Sequence, residues 1–211
     1  HGDGDYGRNV IVHNNGDILL LGTGGHGLPE SFIALRVDTL GNWEEQTVVY
    51  WHGSHERVFN ALALPDGKTL LIGRDGDGSA ADVAISRHHY DGTLDTTFGT
   101  DGKLSMDFLN GTDAAYDAVL QPDGKILITG QAHNGQDNDI VVARISYDGV
   151  PDATFDGDGK LGIALSDSDD YAHAVLSLPN GKILLAGRTG DDIALARLLG
   201  DSDQTSANAN A

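Results

Sequence analysis

The sequence contains no cysteine, which excludes disulfides, zinc–thiolate centres and cysteine nucleophiles. It has no apolar run near the roughly 20 residues that a membrane-spanning helix needs, so membrane insertion is not expected. Basic residues are scarce, 13 Lys and Arg against 32 Asp and Glu, for a formal charge of -19. So acidic a surface repels phosphate backbones and anionic headgroups, and nucleic acid is not an expected partner. Aromatics make up only 6%. Nucleophile-elbow, P-loop and dinucleotide-binding glycine patterns are absent. No signal-peptide pattern is visible, and a chain starting at His1 reads as a mature or trimmed piece.

Glycine is plentiful, with 29 residues, and 39% of the chain is apolar, enough for a core. Short apolar runs punctuated by glycine predict short strands and turns rather than long helices. Four such runs align: NNGDILLLG (14–22), LPDGKTLLIG (64–73), QPDGKILITG (121–130) and LPNGKILLAG (178–187). Their turn glycines, Gly16, Gly67, Gly124 and Gly181, are spaced by 51, 57 and 57 residues. A run before each turn, a run of the VVAR type after it and a KLSMDF-type run complete four short strands per unit. The strands lack strict alternation, as in sheets buried on both faces. Four-stranded units repeated in this way predict an all-β β-propeller, with a β-solenoid of shorter coils as the competing architecture. The chain is read as one repeat domain, 1–211, with units at about 5–54, 55–111, 112–168 and 169–199 and a polar tail at 200–211. The tail is a poor strand former. A compact four-bladed ring is expected, with an open or partner-completed propeller as the alternative.

The pattern AVLQPDGKILITG, then DIVVAR, then YDGxxDxTFxxDGK resembles the delta-60 repeat family. The resemblance covers 55–198 well and 5–51 weakly. Repeat one lacks the T-F and D-G-K elements, and repeat four stops before a recognisable last strand. The resemblance implies a propeller unit of large bacterial secreted or surface proteins, and no particular chemistry.

Counting back 11 residues from each turn glycine reaches Asp5, Glu56, Asp113 and Asp170, four carboxylates in the loop before the inner strand. In a propeller they would ring one mouth of the channel, where calcium would neutralise them. The competing reading is an acid that holds its own turn in each copy. Eight before the glycine stand Arg8, Phe59, Tyr116 and His173; seven before stand Asn9, Asn60, Asp117 and Ala174. All but Ala174 are taken as ligand-binding residues of the channel mouth. The two DGDG stretches, 75–78 and 156–159, lack the rest of an EF-hand loop and read as turns. The H-G-S-H-E stretch (52–56) and the pair His88 and His89 read as solvated.

These observations predict a non-enzymatic, extracellular binding or structural module, calcium-stabilised, that meets a protein or glycan partner or oligomerises through an open edge. The alternatives are a carbohydrate-binding lectin and a hydrolase with an acid-lined site.

Overall fold

The structure is a computed structural model that describes residues 6–24, 31–49, 57–76, 81–199 and 208–210. The strands fall into four antiparallel sheets in chain order. Blade 1 is β1 (Tyr6–Val12), β2 (Ile18–Gly24), β3 (Ser31–Val37) and β4 (Trp43–Val49). Blade 2 is β5 (Arg57–Ala63), β6 (Thr69–Asp75), β7 (Asp82–His88) and β8 (Lys103–Met106). Blade 3 is β9 (Asp113–Leu120), β10 (Ile126–His133), β11 (Asn138–Ile145) and β12 (Lys160–Ile163). Blade 4 is β13 (Asp170–Ser177), β14 (Ile183–Thr189), β15 (Asp192–Leu198) and β16 (Asn208–Asn210). The all-β propeller expected from the repeats is therefore present, with four blades.

The turn between the first two strands explains its own sequence. Gly67, Gly124 and Gly181 have φ of 85°, 87° and 78°, the left-handed region where only glycine is unstrained. The residue before each glycine, Asp66, Asp123 or Asn180, accepts the amide of the lysine after it at 3.1–3.2 Å. This Asx turn fixes the hairpin register in every copy.

Apolar cores lie between blades. Ile11, Leu19 and Leu21 of blade 1 pack on Leu71 of blade 2. Leu70, Ile72, Val83 and Ile85 of blade 2 pack on Ala115, Ala118, Ile126 and Ile128 of blade 3. Leu127, Ile140 and Val142 of blade 3 pack on Val175, Ile183 and Leu185 of blade 4. Each blade thus presents one face forward and one backward.

Among the described residues, the forward face of blade 4 and the backward face of blade 1 carry exposed apolar side chains. Ile140 and Val142 of blade 3 are 1% and 0% exposed; their counterparts Ile193 and Leu195 are 86% and 53% exposed. On β1, Val10 and Val12 are 60% and 64% exposed. Among the described residues, then, the first and last blades share no apolar core cluster. One difference from the sequence reading concerns the tail. Asn208–Asn210 pairs with Leu195–Arg197 as the outer strand of blade 4, because main-chain pairing on a free edge does not need strand-forming side chains.

Candidate functional site on the inner strands

The inner strands β1, β5, β9 and β13 share an irregularity. In each, the register against the second strand slips by one residue, which places Arg8, Phe59, Tyr116 and His173 at the bulge. These are the four residues found eight before the turn glycines. A β-bulge re-aims the side chain it carries. It also explains the glycine within the second strand: a Cβ at Gly73, Gly130 or Gly187 would lie 1.8 Å from the carbonyl oxygen of Arg57, Ala114 or Tyr171.

The bulged side chains meet. Phe59 and Tyr116 pack edge to face with ring centroids 5.1 Å apart, and Tyr116 lies 5.1 Å from His173. Tyr171 stacks on His173 at 6.1 Å, and the Arg188 guanidinium sits 4.3 Å over Tyr171. The Tyr116 hydroxyl donates to Gln131. The row runs from half-buried Phe59 and Tyr116 to exposed His173. Arg8 is exposed at the blade 1 end of the series.

The next position forms a belt. Asn9 Nδ2 donates to Asn60 Oδ1, Asn60 Nδ2 donates to Asp117 Oδ1 at 2.7 Å, and Asp117 Oδ2 accepts the Val175 amide at 2.9 Å. Inner strands of adjacent blades do not pair with one another, and these side chains stitch them instead. Burial raises the Asp117 pKa. Asn9, Asn60 and Asp117 are thus brought together, and their polar atoms serve one another and the main chain.

Of the four aligned acids, Asp5 and Glu56 lie outside the described residues, as do His52 and His55. Asp113 and Asp170 are fully buried and open β9 and β13, so they belong to the strands and not to the loop before them. Their Oδ2 atoms accept the amides of Phe108 and Leu165, both at 2.6 Å. Each acid thereby fastens the loop that connects one blade to the next. Burial, with the nearby charges of Asp107 and Asp82, pushes the Asp113 carboxyl up to about 6, against the opposing Phe108 hydrogen bond.

Sequence reasoning missed a buried lock behind the D-x-T-F motif. Arg87, 1% exposed, donates Nε to Asp95 Oδ2 at 2.6 Å and Nη2 to Thr97 at 3.1 Å, and lies 5.0 Å over Phe98. Lys68 reaches Asp95 at 2.9 Å. Blade 3 repeats the set with Arg144, Asp152, Thr154, Phe155 and Lys125. The motif itself was visible; its task is to fold the segment after the third strand back over the blade. His88 is also a correction. It is buried, bonded to Ser86 and Gly92, and burial lowers its pKa, whereas His89 is exposed. The 156–159 stretch is a turn, with Asp156, Gly157 and Gly159 all at positive φ.

Three stretches of the chain, 64–98, 121–155 and 178–204, match the model of a family described as a domain of unknown function (DUF5122) beta-propeller. No curated protein matches the chain. The first two matched stretches run from the residue before the Pro-Asp-Gly turn to the phenylalanine of the lock, so they enclose the turn, the second and third strands and the buried arginine. The chain is accordingly a protein of β-propeller repeats, three of which are similar to the DUF5122 family.

Proposed function

We propose that the chain is a non-enzymatic structural and binding module of a larger bacterial secreted or surface protein, and that it self-associates by covering its two free blade faces. The observation that carries the reading is the contrast between equivalent positions: Ile140 and Val142 buried, Ile193 and Leu195 bare. The bare forward face of blade 4 has the chemistry of the faces that blades 2 and 3 bury, and the bare backward face of blade 1 is of the kind they receive. A second copy presents both. The acidic surface and the resemblance to delta-60 repeats favour an extracellular setting. The engagement of Asp113, Asp170 and Asp117 with main-chain amides favours a scaffold over a catalyst.

Sedimentation of the purified chain should show concentration-dependent association. Ile193→Asp places a charge on the free face without touching a core, so it should fold normally and stay monomeric. A wild-type chain that remains monomeric at its solubility limit would overturn self-association. The row of Phe59, Tyr116, His173 and Tyr171 favours a second reading, a glycan-binding propeller, because sugars stack on aromatic faces. A glycan array on which the chain finds nothing removes it.

A further inference from the structure

We propose that Asp82, Asp107 and Asp113 form a calcium site at the junction of blades 2 and 3, distinct from a ring of equivalent acids around the channel. One carboxylate oxygen from each lies within 4.8 Å of those of the others. They come from three places that the fold converges: the start of β7, the residue after β8 and the start of β9. Calcium bonds to oxygen at about 2.3–2.6 Å, so ligands on opposite sides of one ion stand about 5 Å apart. The spacing fits a shared ion.

The second observation is an orphan. Asp113 is 0% exposed, its Oδ2 is taken by the Phe108 amide, and its Oδ1 has no partner. A buried carboxylate oxygen without a donor is rare and points to an ion or water in its place. Lys160 reaches this loop, but its ammonium donates to the main-chain oxygen of Asp107 at 2.8 Å. Asp107 Oδ1 accepts the Asn110 amide, and Asp82 Oδ2 accepts the Ser105 hydroxyl, which leaves further oxygen lone pairs on both for a cation.

The next junction is an internal control. The positions 57 residues on are Asp139, Ala164 and Asp170. The third acid is missing there, and Asp170 Oδ1 instead accepts the hydroxyl of Ser166 at 3.2 Å, where the earlier junction has Leu109. Both junctions keep the 2.6 Å bond from the loop amide to Oδ2. So the propeller needs the buried acid at this position but neither an orphan on it nor the added acid; the orphan at the later junction lies instead on Asp139 Oδ1. A hydroxyl fills the gap in one junction, and an ion recruited by Asp107 fills it in the other.

The test is calorimetric titration of the chelator-treated full chain with calcium chloride, up to the millimolar range typical of extracellular calcium modules. The expected result is one saturable site per chain. Asp107→Ala, at an exposed position outside the cores, should fold normally and lower affinity at least tenfold. Asp191→Ala, which removes an exposed acid elsewhere, should leave affinity unchanged. Magnesium, which demands a smaller and stricter shell, should bind more weakly. The proposal is overturned by an absence of saturable binding. It is equally overturned if the two variants lose affinity alike, since calcium would then be a diffuse counter-ion of a highly acidic surface.

Discussion

Asp95→Ala should lower the melting temperature by roughly 10 °C, because removing one partner of a buried ion pair costs about 3–5 kcal/mol. Asp95 is the hub of the blade 2 lock. It accepts from Arg87, Lys68, the Thr97 amide and the Thr97 hydroxyl. Without it, Arg87 stays buried with a charge that Thr97, the Tyr147 carbonyl and the exposed carboxylate of Asp148 at 3.6 Å address only in part. Asp95→Asn keeps the shape and the Thr97 bonds, and should fall between wild type and alanine. Burial alone would raise the Asp95 pKa; the hydrogen bonds from Thr97, Lys68 and Arg87 overcome it and hold the carboxyl well below its usual range. The folded pKa lies below the unfolded one, so this stabilisation is present above the ordinary aspartate pKa of 3.8 and is lost as pH falls through the lowered value. Wild type should therefore lose more stability on acidification below about pH 4 than Asp95→Ala does. Thermal unfolding followed by circular dichroism at several pH values reads both effects. A shift under about 2 °C at neutral pH would show that the lock is dispensable.

The repeat was legible because its turn needs particular chemistry. Only glycine tolerates the φ of Gly67 or Gly124, and only a short polar side chain closes the Asx turn, so the turn recurs almost letter for letter. Counting from these glycines also found the bulge residues Arg8, Phe59, Tyr116 and His173. That they were bulged was hidden, because a bulge is a relation between two strands and leaves no mark in one. The bare faces were hidden for a similar reason: Ile193 reads like Ile140, and its exposure depends on the neighbouring blade. Alignment favoured Asp113 and Asp170, which recur, over Asp107, whose counterpart is Ala164. The acid cluster is completed by an acid that the repeats do not share, which is why a search for equivalent residues passed over it.

Gly130→Ala should be among the most damaging single-methyl substitutions in the chain, destabilising it by about 3 kcal/mol or more. A comparison of three glycines isolates the reason. At Gly162, on β12, a Cβ meets nothing within 4 Å and φ is not positive, so alanine should change stability by less than about 0.5 kcal/mol, or raise it slightly. At Gly124 space is open, but φ is +87°, and alanine should cost about 1–2 kcal/mol of backbone strain. At Gly130 the backbone is unstrained, yet the new Cβ would sit 1.8 Å from the Ala114 oxygen and 2.9 Å from the Ala115 Cα. Those atoms belong to a strand held by its ladder to β10, so no flexible side chain can yield. Relief requires moving β9 away from β10, which breaks ladder hydrogen bonds and shifts Tyr116 out of the aromatic row with Phe59 and His173. The expected order of melting temperatures is Gly162→Ala, then Gly124→Ala, then Gly130→Ala, and tyrosine fluorescence should change most in the last. Equal melting temperatures for the variants at Gly124 and Gly130 would mean that the bulge slides to accommodate a methyl group, and that the glycine within the second strand answers to something other than the bulge opposite it.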